Sequence, residues 1–171
     1  MKVNSEMFRE YDIRGVYGED LSAEVAYLIG KAFGTKLKEL NISSTVVGYD
    51  NRLSSVELEE NLVKGLVETG AHVIRLGLVT TPMCYFAANH LNTNCSMMIT
   101  ASHNPKEYNG YKIYDQYGCQ LVPELADMVI EEINNVKDYF AIDNTKNHEL
   151  ITYIGKEIDE SYRATVNTIR I

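Results

Sequence analysis

The 171-residue sequence is short of cysteine, of positive charge and of long apolar runs. Its three cysteines, Cys84, Cys95 and Cys119, make an odd count, and no C-x-x-C pair occurs. That pattern suggests neither a disulfide framework nor a zinc site. The three read as small core residues in a reducing compartment. Lysine and arginine number 16 against 24 aspartates and glutamates, a net charge of -8. Such a balance argues against a nucleic-acid binder, and the 12 scattered tyrosines mark no stacking platform for bases. A basic pocket inside an acidic shell would still suit a phosphorylated metabolite. The opening Met1-Lys2-Val3-Asn4-Ser5-Glu6 has no apolar h-region and is not a signal peptide. No apolar run reaches bilayer-crossing length. The expectation is a soluble, cytoplasmic protein with no membrane and no nucleic-acid partner. Internal repeats and low-complexity tracts are also missing.

What is present supports a full core, because apolar residues make up 45% of the chain. The patterning alternates between two periods. Ser22 to Leu40 reads as a helix, with Ser22 as N-cap and Val25, Leu28, Ile29, Ala32, Phe33 and Leu37 on one face. Thr45 to Tyr49 reads as a short buried strand. Ser54 with Glu57 fits a capping box for a helix through Leu58, Leu62, Leu66 and Val67, ended by Gly70. Ala71 to Leu76 is the next strand. Thr81 as N-cap with Pro82 at the first helical position starts another helix through Met83, Phe86, Ala87 and Leu91. After the strand Cys95 to Ile99, the chain returns from Tyr111 to Tyr114 and turns again at Gln116-Tyr117-Gly118. Pro123 begins a helix through Leu125, Met128, Val129 and Ile133. The alternation predicts an α/β fold, a three-layer α/β/α arrangement on a mixed, mainly parallel sheet. From Asn134 to about Asn147 the chain is polar and aperiodic. A last helix follows Gly155, with Ile158, Tyr162, Val166 and Ile169 on one face.

The chemistry concentrates at Thr100-Ala101-Ser102-His103-Asn104-Pro105, followed by Lys106-Glu107-Tyr108-Asn109-Gly110-Tyr111-Lys112. A buried strand runs into a hydroxyl, an imidazole and an amide, and Asn109-Gly110 reads as a turn. Reactive groups on a loop held by buried strands are common in catalytic sites. Ser102 needs activation to act as a nucleophile. No G-x-S-x-G elbow and no G-x-x-x-x-G-K-[ST] loop occurs, which disfavours a hydrolase and a P-loop. A phosphorylated carrier is the third role. A phosphoserine adds nearly two negative charges and three acceptor oxygens, and Lys112, Arg14 and His103 are candidate partners. A polar capped loop without chemistry is the bland alternative. Asp50 and Arg52 lie between a strand end and a helix start, where ligand crevices form; they could equally pair with each other or brace the loop. Arg14, beside Gly15, suits either phosphate or a surface salt bridge. His72, His90 and His148 read as structural or solvated.

At these residues the sequence resembles a known family. Thr100 to Pro105 resembles the active-site serine loop of the α-D-phosphohexomutases. Phe8-Arg9-Glu10-Tyr11-Asp12-Ile13-Arg14-Gly15 resembles the opening motif of their phosphomannomutase/phosphoglucomutase branch. Gly48-x-Asp50-x-Arg52-x-Ser54-Ser55, Gly77-x-x-Thr80-Thr81-Pro82 and Tyr108-Asn109-Gly110-Tyr111-Lys112 match in the same order. The resemblance implies the fold of phosphohexomutase domain 1. It implies that Ser102 carries the phosphoryl group and contributes one ligand to Mg²⁺. It implies that Lys112, His103 and Arg14 line the site, with Lys112 and His103 in proton transfer or charge stabilisation. The implied substrate is a hexose phosphate, interconverted between 1- and 6-phosphate, with a glucose 1,6-bisphosphate-type activator.

The resemblance also implies what is missing. Family members have four domains, and this chain resembles the first. Nothing here matches the metal loop of the second, the sugar-selecting loop of the third or the phosphate loop of the fourth. Residues 1–147 are therefore expected to form the phosphoserine domain. Residues 148–171 are expected to be a linker and the truncated first helix of domain 2. The other partners would be the remaining domains of the same protein, and the isolated chain is expected to be inactive. The competing reading is a non-catalytic sugar-phosphate-binding or regulatory module with the same fold.

Overall fold

A computed structural model describes residues 4–9, 11–93, 95–114 and 148–169, with single positions 127, 128, 131 and 135. Its centre is a six-stranded sheet in the order β1-β5-β4-β2-β3-β6. The strands are β1 (Ile13–Val16), β2 (Ser44–Tyr49), β3 (His72–Leu78), β4 (Ser96–Ile99), β5 (Tyr108–Tyr114) and β6 (Ile151–Tyr153). The helices are α1 (Ala23–Glu39), α2 (Ser55–Glu68), α3 (Thr81–His90) and, after β6, α4 (Lys156–Thr168). β2 pairs in parallel with β3 and β4, and β3 with β6. β5 is antiparallel to both its neighbours. One reversed strand among six is the mixed, mainly parallel α/β sheet that the patterning predicts. Among the described residues no helix is long and apolar enough to cross a membrane.

Successive residues of each strand feed opposite layers, as the two-residue pleat requires. Val47, Val73 and Met97 join the core shared with α1 and α2. Val46, Ile74 and Met98 join the core shared with α3 and α4. Three helices end alike. In α1, the N–H groups of Asn41 and Ile42 return to the carbonyls of Lys38 and Leu37. Gly70 and Ala71 do the same for α2, and Asn92 and Thr93 for α3. In each case the pivotal residue, Asn41, Gly70 or Asn92, has positive φ, the Schellman geometry.

One local expectation holds and several need correction. Ser22 caps α1 through its hydroxyl, which accepts from the Val25 N–H. Ser54 makes no such bond, so the capping box is not formed; its hydroxyl accepts instead from Asn109. Glu57, the other half of that box, accepts from the Tyr17 hydroxyl. α3 begins one residue earlier than expected, with Thr80 as N-cap and Pro82 second in the helix. Asn109-Gly110 is no turn: both are buried inside β5. A Cβ on Gly110 would sit 2.0 Å from the Ile13 carbonyl oxygen, so glycine is needed there for strand approach. Residues 148–153, expected within a linker, form a 3-10 turn and the sixth strand. α4 then sets Ile158 into the core and Tyr162 edge-on to Phe86. The turn at Gln116-Tyr117-Gly118, and most of the helix expected from Pro123 to Ile133, lie outside the described residues.

α1 and α2 cross at backbone contact. A Cβ on Gly30 would lie 2.2 Å from the Leu62 carbonyl oxygen, and one on Gly65 2.2 Å from that of Tyr27. Gly65→Ala is therefore expected to push the two helices apart and destabilise the chain by about 1–3 kcal/mol. Urea denaturation measures this; a variant as stable as the parent would show that the crossing has slack.

Candidate active site

β4, β2 and β3 are adjacent and parallel, so they release the chain at the same edge of the sheet. β2 passes to α2 and β3 on one side, whereas β4 passes to β5 on the other. Such a divergence opens a crevice at the strands' C-terminal ends. Two clefts occupy it. One, of about 580 Å³, has Thr80, Thr81, Met98, Thr100 and His103 in its wall; the other, of about 840 Å³, has Tyr17, Arg52, Ser54 and Lys106. Asp50, Asn51 and Ser102 line both.

Ser102 is exposed on the ridge between them, and its backbone is left-handed, with φ +57. That region disfavours L-residues by about 1–2 kcal/mol. Both backbone groups of Ser102 are tied: its N–H donates to Thr100 Oγ1 at 2.9 Å, and its carbonyl accepts from Arg52 Nη2 at 3.3 Å. The hydroxyl is left to face solvent. His103 Nδ1 lies 3.4 Å from Ser102 Oγ, a long contact for an activating hydrogen bond. The pair is adjacent without forming a triad.

The register carries the other expected residues to one face. Arg14 stands opposite Gly110 on β5, and Thr100 donates its N–H to the Gly110 carbonyl from the other side. Lys112, two residues along β5, stands opposite Met98. Arg14 reaches the serine loop directly, donating from Nη1 to Asn104 Oδ1 at 2.6 Å. Its Nη2 pairs with Asp12 at 2.5 Å. Its Nε is buried and, among the described residues, has no hydrogen-bond partner. A buried unsatisfied donor costs about 1–3 kcal/mol, and such an orphan calls for an explanation. Lys112 is half-buried and makes no hydrogen bond or ion pair among the described residues; it lines neither cleft. The structure thus brings Ser102, His103 and Arg14 to one loop, and sets Lys112 on the same sheet face.

Asp50 and Arg52 pair with each other and brace the loop. Asp50 Oδ1 accepts from the Arg52 N–H and the Ser55 hydroxyl, and Oδ2 from Arg52 Nε at 3.2 Å. The Arg52 guanidinium also donates to carbonyls of Ser102, Asn104, Pro105 and Tyr108. Asn109 adds a second fastening, giving its amide hydrogens to Ser54 and Ser55. Sequence reasoning weighed Arg52 but missed Asn104, Thr100 and Asn109. The Asn-Gly pair was legible only as a turn, because its partners lie more than fifty residues away.

The other candidates for chemistry are weaker. Burial pushes the Cys84 thiol up to about 12, which leaves it an inert core group. His72 bonds Thr152, tying β3 to β6, and His90 stacks on Phe86. Among the described residues no three His, Cys, Asp or Glu side chains gather where they could hold a metal ion. The Asp50 oxygens are engaged by Arg52 and Ser55. These residues do not fit Mg²⁺ on their own.

Comparison with known proteins gives a consistent result. The model of the family described as phosphoglucomutase/phosphomannomutase, alpha/beta/alpha domain I, matches residues 5–140. The chain is 50% identical over 107 residues to a phosphomannomutase/phosphoglucomutase of Pseudomonas syringae, covering 63% of this chain and 23% of that protein. It is 42% identical over 127 residues to a phosphoglucomutase of Neisseria meningitidis, covering 72% and 28%. A crystal structure of a phosphoglucomutase/phosphomannomutase family protein from Burkholderia thailandensis superposes with a TM-score of 0.74 at 29% identity, over 94% of this chain and 35% of that one. The chain thus spans about a quarter of the length of the curated relatives it matches.

The left-handed backbone at Ser102 has a measurable consequence. Ser102→Gly is expected to be more stable than Ser102→Ala by about 1 kcal/mol, since only glycine adopts that φ without strain. Parallel denaturation curves of the two variants check it; equal stability would mean that the loop relaxes out of the left-handed region.

Proposed function

The chain belongs to the phosphoglucomutase/phosphomannomutase family through its domain I, and on that footing we propose that Ser102 is the phosphoryl carrier of a hexose-phosphate mutase. The observation that carries this reading is the presentation of Ser102. Its hydroxyl is exposed between two clefts while its backbone is tied at both ends. A sugar bisphosphate would pass a phosphoryl group to Ser102: the Oγ–P bond forms, the bond to the sugar oxygen breaks, and the serine proton leaves as the sugar oxygen gains one. The phosphoserine would then donate to the free hydroxyl of a hexose monophosphate, and the bisphosphate so formed, once turned about, would return its other phosphoryl group to Ser102, completing exchange between 1- and 6-phosphate, for mannose, glucose or both.

Each site residue has a part in this scheme. Arg14, bonded to Asn104 of the serine loop, would add charge beside the transferring phosphate. Lys112 would add charge from the same sheet face. His103, beside Oγ, would hold or move the proton. Such catalysis is mostly positioning and charge stabilisation. A phosphorylated Ser102 would offer one ligand to Mg²⁺, the carboxylates coming from further domains of a longer protein. Those domains would also hold the sugar's distal phosphate. The phosphoserine domain would run past residue 147 to take in β6, with the chain beyond leading into the second. A glucose 1,6-bisphosphate-type compound would prime the serine, and the setting would be the cytoplasm.

Intact-mass spectrometry tests the proposal. With glucose 1,6-bisphosphate, Mg²⁺ and the remaining domains of a family phosphoglucomutase, the chain should gain the mass of one phosphoryl group. Ser102→Ala should gain none. A parent chain that stays unmodified under those conditions would favour the non-catalytic module instead. The 171-residue chain alone should show no conversion of glucose 1-phosphate to 6-phosphate; turnover at the rate of an intact mutase would refute the need for other domains.

A further inference from the structure

Arg52 lines the wider cleft beside Ser102, and a guanidinium there invites a phosphate-binding role. The hydrogen bonds point elsewhere. A guanidinium has five N–H donors and no acceptor. In Arg52 all five are committed. Nε donates to Asp50 at 3.2 Å. Nη1 donates to the carbonyls of Pro105 and Tyr108 at 2.7 and 2.9 Å. Nη2 donates to those of Asn104 and Ser102 at 2.7 and 3.3 Å. No donor is left for a phosphate oxygen, and the adjacent Asp50 carboxylate offsets the charge.

We propose that Arg52 is a positioning residue that sets the aim of Ser102, and that it never ligates the transferred phosphate. The inference rests on the reading of Ser102 as a phosphoryl carrier. Four carbonyls, at Ser102, Asn104, Pro105 and Tyr108, converge on one guanidinium, so the loop between β4 and β5 is wrapped around it. Thr100 Oγ1 holds the Ser102 N–H from the opposite side. With both peptide groups fixed, Ser102 keeps its left-handed φ, and its side chain stays between the two clefts. Arg14 differs in kind: among the described residues its buried Nε has no partner. The two arginines thus differ in what they hold, one spent on backbone carbonyls and one on the side chains of Asp12 and Asn104. Lysine cannot replace the first, because three rotatable donors on a point charge do not reproduce a planar fork reaching four carbonyls.

The test uses Arg52→Lys, Arg52→Ala and Arg14→Lys. Amide hydrogen exchange on the 171-residue chain reads the loop directly. Both Arg52 variants should speed exchange at Ser102, Asn104 and Tyr108 by about tenfold or more while β2 and β3 amides hold their rates. Phosphoryl uptake, with the remaining domains supplied, reads the consequence. Both should lower the maximal rate of Ser102 phosphorylation by about a hundredfold, as misplacement of a reacting group does, with the half-saturating bisphosphate concentration nearly unchanged. Methylguanidinium should restore uptake in Arg52→Ala, and methylammonium should not. Arg14→Lys should raise the half-saturating concentration instead. Parent-like exchange and uptake in Arg52→Lys would overturn the inference, as would a raised half-saturating concentration with an intact maximal rate. If the parent chain takes up no phosphate, the carrier reading fails on its own, and exchange alone decides whether Arg52 sets the loop.

Discussion

One guanidinium holds the serine loop in shape. The connection between β4 and β5 lies outside the sheet ladder, so its backbone groups take their partners elsewhere. Arg52 supplies four of them from a single side chain, and Asp50 orients that side chain from below. The loop's unusual feature, a left-handed serine, persists because the surrounding bonds over-determine it. Asn109 fastens the far end of the loop to the start of α2 through Ser54 and Ser55. Two segments about fifty residues apart therefore behave as one piece, and Ser102 stands at its exposed edge.

The sheet makes that arrangement available. Adjacent parallel strands β4, β2 and β3 deliver three loops to one edge, which is why Asp50, Thr80 and Ser102 meet. The reversed strand β5 brings Lys112 back beside β4 and provides the surface on which β1 lays Arg14. Behind the sheet, α1 and α2 touch through Gly30 and Gly65, so the layer that bears the Arg52 loop is closely seated. At the other edge, Arg75 of β3 pairs with the fully buried Glu59 of α2 and bonds the Tyr153 hydroxyl of β6. That contact fastens the sixth strand to the same frame.

Much of this could be read along the chain. The helical faces of α1 and α2, the capping serine at Ser22 and the stop at Gly70 depend on neighbours within a few residues. The matched motifs likewise singled out Ser102, His103, Arg14 and Lys112 without knowledge of their separation. The errors came where a local signal met a distant partner. Ser54 looked like a cap, but Asn109 takes its hydroxyl. Asn109-Gly110 looked like a turn, but β1 needs the missing Cβ and α2 needs the amide. The stretch from 148 looked like a connector because three residues are too few to show a period, yet β3 offers them an open edge.

Periodicity, capping residues and the order of short motifs decided the fold class and singled out the candidate serine, since all of them act through nearest neighbours on a helix, strand or turn. Tertiary structure alone decided how that serine is held. Whether Arg52 faces a phosphate or grips a backbone depends on where four carbonyls some fifty residues away come to lie. Whether Arg14 reaches Asn104 of the serine loop depends on which strand it meets. Such pairings are set by packing of the sheet and helices, and nothing in the local chain around Arg52 or Arg14 encodes them.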